Sequence, residues 1–124
     1  MSLSFKVFDP ATGAVYTGVG YNLVFYEVDV LEDGHTRQLD LSKVVVLKET
    51  PIRLPDNRPL YEGDVFSVLL AGEERHYVAS LLSAVEILYY DNPFHHKVDA
   101  FKVHGNEYVT PGLYEQVKAG VDNE

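Results

Sequence analysis

Polar and apolar residues alternate along most of this chain, and turn residues break the alternation at short intervals. That rhythm predicts a series of short β-strands. Ser4-Phe5-Lys6-Val7-Phe8 alternates, Asp9-Pro10-Ala11-Thr12-Gly13 interrupts, and Ala14-Val15-Tyr16-Thr17 returns as the partner of an N-terminal hairpin. Gly18 and Gly20 flank a second break. Residues 22–30 give the clearest alternation, with Val24, Tyr26, Val28 and Val30 on one face and Phe25, Glu27 and Asp29 on the other. Glu32-Asp33-Gly34 carries an Asp-Gly turn signal, and the more polar Thr36-Arg37-Gln38-Leu39-Asp40-Leu41 answers it as a half-exposed strand near an edge. Lys43-Val44-Val45-Val46-Leu47 is a continuous β-branched run, which suits a strand buried on both faces and ended by Pro51.

The middle of the chain, residues 54–68, reads as a rigid loop feeding a strand. Pro55 and Pro59 each fix φ and lack an N–H, and Asp56-Asn57 between them favours a tight turn. Leu60 and Tyr61 supply apolar anchorage, and Gly63 permits a backbone angle that other residues resist. Asp64 is placed to accept from a nearby backbone N–H just before Val65 opens the next strand. Residues 65–70 and 75–79 then form a hairpin about Ala71-Gly72-Glu73-Glu74. Residues 77–90 fit two patterns. Val78, Leu81, Leu82, Val85 and Leu88 fall at helical spacing, but the content of Val, Ile and Tyr favours two strands broken near Ser83-Ala84. Residues 97–103 alternate again, with Val98, Ala100, Phe101 and Val103 as the buried set, and Gly105-Asn106 ends that strand. Thr110-Pro111 reads as the N-cap and first residue of a short helix buried through Leu113, Tyr114 and Val117 and stopped by Gly120. Residues 121–124 are expected to fray.

Eight or nine short strands define an all-β protein. Residues 51–124 have the hairpin rhythm of a small SH3-like barrel with a short C-terminal helix. Residues 1–50 form an N-terminal β-hairpin layer or subdomain, and the two parts can pack as one domain.

Composition narrows the function classes. A hydrophobic fraction of 46% in 124 residues supports one modest core and excludes a disordered chain. No apolar run is long enough to span a bilayer and no secretory h-region follows Met1, so no membrane role is expected. Without cysteine there is no disulfide, thiol nucleophile or cysteine-bound zinc. The net charge of −9, with Lys and Arg scattered, disfavours a phosphate-binding surface. The acidic residues are dispersed as well, unlike the dense array that imitation of DNA requires.

Leu60-Tyr61-Glu62-Gly63-Asp64-Val65, preceded by Asp56-Asn57-Arg58, resembles the D-x-N-G-K-x-I-Y-E-G-D-I-V signature of the YopX-like proteins of phages and prophages. Phe5-Lys6-Val7-Phe8-Asp9 resembles that family's basic-aromatic-Asp opening. Val103-His104-Gly105-Asn106-Glu107-Tyr108, with Pro111 and Leu113, resembles its closing V-I-G-N-I-Y-E-N-P-E-L. The middle block carries the specificity. Arg58-Pro59 replaces the family's Gly-Lys, Ile52-Arg53-Leu54 stands in place of its lead-in, and residues 79–96 have no counterpart. The resemblance implies a small β-rich phage or prophage protein without assigned catalysis, working in the bacterial host cytoplasm and prone to self-assembly. It implies a motif of Asp56, Asn57, Leu60, Tyr61, Glu62, Gly63, Asp64, Val65, Gly105 and Asn106 as structural residues or a partner surface.

The residues alone offer few chemical candidates. Glu62 and Asp64 share a side if the segment is extended, and with Asp56 could bind a metal or act as acid and base. His95-His96, with Asp91, Asp99 and His104 nearby, is the one metal-like grouping, but adjacent histidines on a strand point apart. No G-x-S-x-G or comparable context supports a hydrolase triad. The expectation is therefore a non-enzymatic interaction or self-assembly module, with no catalytic residues, metal or cofactor assigned. Its partner is another copy of itself or a host or phage protein. Tyr89-Tyr90, if extended, turns one ring outward as a partner contact. The alternatives are a small barrel binding single-stranded nucleic acid, and a metal-dependent enzyme using Glu62/Asp64 or the His95/His96 region.

Overall fold

The computed structural model describes residues 4–94 and 97–120, so His95-His96 and the 121–124 tail lie outside it. The elements are β1 (Phe5–Asp9), β2 (Ala14–Asn22), β3 (Glu27–Glu32), β4 (His35–Asp40), β5 (Val45–Arg53), β6 (Pro59–Tyr61), β7 (Asp64–Leu70) and β8 (Glu73–Val78). A short helix α1 (Leu81–Val85) precedes β9 (Val98–Asn106), and α2 (Leu113–Lys118) follows it. The fold is mostly β, as its alternation predicts, and it divides into two compact units, Met1–Glu49 and Thr50–Glu124.

In the first unit the strands run antiparallel in the order β4-β3-β2-β1-β5. Val7, Val28, Val30 and Leu39 are buried together, and Phe5, Tyr16, Leu41 and Val44 pack against them. The glycines at 18 and 20 do not end β2, contrary to expectation. The strand runs through them, and its register against β3 shifts there. Gly18 is needed because the Phe5 ring occupies the space of its side chain. The strand expected over 22–30 is also corrected. Asn22 Oδ1 accepts from the N–H of Val24 (3.1 Å) and Phe25 (3.3 Å), and Tyr26 takes a positive φ of 53°. This Asx-type turn joins β2 to β3, so Val24 and Tyr26 are exposed, and only Val28 and Val30 enter the core. After β4, Asp40 caps a single 3₁₀ turn (Leu41–Lys43) by accepting from Ser42. Those bonds, side chain first and then backbone, hold its carboxyl below the ordinary range. In β5, Val45 and Val46 are only half-buried, so the doubly covered strand is not found, and the strand passes through Pro51 to Arg53. Pro51 lies beyond Lys48, the last residue paired with β1, so its missing N–H breaks no pairing with β1.

In the second unit the end of β5 lies beside β6, where the Thr50 hydroxyl donates to the Leu60 carbonyl at 2.8 Å. The main sheet is β8-β7-β9, with β7 central and buried at five of its seven positions. Phe66 is fully buried with Ile52, Leu60, Val68, Tyr77 and Ala79. Its ring stacks at 5.5 Å on Tyr77 and 6.3 Å on Phe101. Val65, on the opposite side of β7, packs with Leu113 and Val117 of α2. Among the described residues β8 and β9 are edges of an open sheet, so no closed barrel forms.

The two-strand reading of 77–90 is wrong. β8 ends at Val78, and Ser80 and Ser83 form a reciprocal capping box that starts α1. The chain then widens into π geometry over Glu86–Asp91. β9 buries less than expected, since Ala100 and Val103 are exposed. Helix α2 starts after Gly112, later than the Thr110-Pro111 signal, with Leu113 and Val117 buried as expected and Tyr114 half-buried.

Candidate functional site

Tyr61, Glu62, Gly63, Asp64 and Asn106 of the motif meet in one place. Asp64 uses both carboxylate oxygens: Oδ2 accepts from the Tyr61 N–H at 2.8 Å and Oδ1 from Asn106 Nδ2 at 2.9 Å. The same Asn106 amide donates to the Glu62 carbonyl at 3.0 Å, and its Oδ1 accepts from the Tyr108 N–H at 2.9 Å. Gly63, at φ 89°, donates to the Ala79 carbonyl and accepts from the Glu107 N–H, against the Tyr108 ring. Gly105 faces Leu113, while Leu60 is buried with Phe66 and Val65 with Leu113 on the other side of β7. Asp56 and Asn57 form a separate turn. The backbone N–H of Arg58, followed by its side chain, holds the Asp56 carboxyl below the ordinary range, and Asn57 sits at φ 69°.

This arrangement is a fastening of the β6–β7 turn to the end of β9. Glu62 and Gly63 turn rather than extend, so Glu62 and Asp64 do not form the expected same-side pair. Sequence reasoning missed Glu107, whose carboxylate accepts from the N–H groups of Gly112 (2.9 Å) and Tyr114 (2.8 Å) and thereby caps α2. Its distance in sequence from the helix start hid it from the usual capping spacing.

A polar row crosses the β8-β7-β9 sheet. Ser67 Oγ lies 2.9 Å from His104 Nε2, the His104 and His76 rings are 6.2 Å apart, and His76 Nε2 is 3.0 Å from Glu74. Ser67 is only 2% exposed, so its hydroxyl serves the sheet and is not presented to a substrate. Among the described residues no group of three or more His, Asp or Glu is placed to hold a metal ion. Of the expected His/Asp grouping, His95 and His96 lie outside the described residues. Asp91 accepts from the Tyr77 hydroxyl at 2.6 Å.

Burial, and then the Asp91 hydrogen bond, push the Tyr77 hydroxyl far above its usual range. The raised folded-state value favours the protonated form, so the stability it contributes is complete below pH 10 and is lost as pH rises beyond it. Tyr77→Phe is therefore expected to flatten the decline of the urea midpoint between pH 9.5 and 11. An unchanged slope contradicts this.

Exposed apolar residues gather in two sequence regions. Residues 10–26 contain no charged side chain, the longest such stretch in a chain of net charge −9. Within it Leu23, Val24, Phe25 and Tyr26, the tip between β2 and β3, are 76%, 87%, 70% and 55% exposed. Val15, Val19 and Tyr21 of β2 are exposed as well. The second region is the helical turn of unit two, where Leu81, Leu82, Leu88, Tyr89 and Tyr90 are exposed. Both tyrosine rings face outward, not the single ring an extended strand would give. No family model, curated protein or solved structure matches the chain. No helix among the described residues is long and apolar enough to cross a membrane.

Proposed function

We propose that this protein is a non-enzymatic accessory module of phage or prophage origin that self-assembles, with the apolar β2–β3 tip as its contact surface. The observation that carries this reading is the run Leu23-Val24-Phe25-Tyr26, four consecutive large apolar side chains held in water by a hydrogen-bonded turn. Moving such a side chain from water into an interface gains roughly 1.5–3 kcal/mol. Four from each of two copies are enough to offset an association cost of about 4–15 kcal/mol.

Charge selects the place. Two copies each carrying −9 repel, and residues 10–26 bring no charge of their own to a contact, the nearest carboxylates being Glu27 and Asp29 of β3 opposite Asn22 and Gly20. The absence of Lys and Arg from the tip also removes the phosphate contacts that a single-strand-binding surface combines with its aromatics. The resemblance of Leu60 to Val65 and of Gly105-Asn106 to YopX-like proteins supports the phage ancestry, a bacterial host cytoplasm and the self-assembly. Partners from host or phage remain compatible with the same tip.

The double variant Val24→Ser/Phe25→Ser tests the assignment. Sedimentation should show self-association weakened at least tenfold, with little change in the urea midpoint because neither side chain is buried. Association of the wild type should strengthen between low salt and ~0.5 M as repulsion is screened. Unchanged association of the variant would remove the tip from the interface.

A further inference from the structure

The Thr50–Glu124 unit holds a cleft that does not involve the β2–β3 tip. The cleft, of about 410 Å³, is lined by His76, Tyr77, Ser80, Leu82, Ser83, Glu86, Asp91 and Tyr114. Its floor is fixed. Tyr77 is 6% exposed and donates to Asp91 Oδ2 at 2.6 Å, which orients the carboxylate and leaves its other oxygen for a ligand. Ser80 and Ser83 are locked in the capping box that starts α1, which positions Glu86 one turn on. Tyr114 is held from the other side by its hydroxyl bond to the His76 carbonyl and by the Glu107 bond to its N–H.

Two carboxylates therefore face one cleft, and among the described residues neither Glu86 nor Asp91 forms an ion pair. Arg75 and Lys118 line an adjoining depression that shares His76, Tyr77, Asp91 and Tyr114 with the cleft, so a ligand in the cleft meets these cations at its border. Arg75 pairs with Glu73 at 3.3 Å, and Lys118 Nζ sits 5.6 Å from the Tyr114 ring centre. The wall includes aromatic rings, and Leu82 gives it one exposed apolar edge. Leu82 lines the cleft while 64% exposed, and Leu81, Tyr89 and Tyr90 are exposed on the same helical segment.

We propose that this cleft receives an arginine side chain from a partner protein, flanked by an apolar residue that rests on Leu82. A planar guanidinium meets the open oxygens of Asp91 and Glu86 with paired N–H donors and lies against tyrosine. The Leu82 edge supplies contact area that a free cation would not use. The whole chain's net charge of −9 favours encounter with basic partners.

The test uses the full chain and the peptide acetyl-Leu-Arg-Leu-amide, followed by amide NMR shifts. The expected result is saturable shifts at Ser80, Ser83, Glu86 and Asp91. Binding should be at least fivefold weaker for the peptide with neutral citrulline in place of arginine. Asp91→Asn keeps an acceptor for the Tyr77 hydroxyl, and Glu86→Gln keeps the shape of a half-buried side chain, so both should leave the spectrum folded. Each should weaken arginine binding about threefold or more and narrow the preference over citrulline. Equal binding of the two peptides, shifts confined to other residues, or no shift at millimolar peptide would each overturn the proposal. None of these outcomes bears on the β2–β3 tip, so this site and self-assembly fail or stand separately.

Discussion

Gly63→Ala is expected to lower the unfolding free energy by about 2–4 kcal/mol, combining left-handed backbone strain with overpacking. The residue sits at φ 89°, and a methyl group there would lie 2.5 Å from Tyr108 Cδ2 and 3.0 Å from Asn106 Oδ1. The Tyr108 ring is 51% exposed and can turn outward, but Asn106 is not free to yield. The Asn106 amide group holds Asp64, Glu62 and the Tyr108 N–H together, so displacing it loosens the fastening of β7 to β9. Gly13→Ala is the control, since Gly13 has a similar φ of 76° but open space around it. It should cost about 1 kcal/mol from backbone preference alone. Urea unfolding of both variants, followed by circular dichroism, measures the difference. Equal losses would show that the Tyr108 and Asn106 contacts carry no weight.

Phe66→Ala should be the most damaging single truncation, at about 3–5 kcal/mol. Phe66 is on the central strand of β8-β7-β9, fully buried, and stacked between Tyr77 and Phe101. Its loss leaves a cavity bounded by rings that are themselves anchored, Tyr77 through Asp91. Leu69, on the same strand, is 39% exposed, and its truncation should cost roughly 1 kcal/mol or less. A Phe66→Ala loss near that of Leu69→Ala would contradict the core assignment. The same urea experiment reads both.

How much of this was legible in the sequence depends on how local the determining contacts are. The β-strands of residues 5–9, 35–40, 64–70 and 73–78 follow from alternation and turn residues, and so does the all-β class. Residues 22–30 deceived because their turn contains no Gly or Pro. It is made by Asn22 and by a positive φ at Tyr26, which the alternation of Val24, Tyr26 and Val28 conceals. Residues 77–90 deceived in the other direction. Local preference for β overrode the Ser80/Ser83 capping box, which was the better signal for α1. The barrel expectation rested on hairpin rhythm, which predicts pairing between neighbours but says nothing about closure between β8 and β9.

At the candidate sites the same division holds. The part played by Asp64 as a backbone acceptor was readable, because it acts three residues away on Tyr61. Its partner Asn106 is 42 residues distant, and only the shared family-like motif pointed to both. The cleft with Glu86, Asp91 and Tyr114 is assembled from β8, the helical turn and α2, so no spacing in the sequence announces it.

Self-association through the apolar β2–β3 tip is the central claim, and the mass of the wild-type protein in solution tests it most directly. Light scattering coupled to size exclusion over a range of concentrations should give a mass above the 14.0 kDa of one chain, rising with concentration and with salt. A constant 14.0 kDa from micromolar to near-millimolar protein, at low and high salt alike, would contradict it.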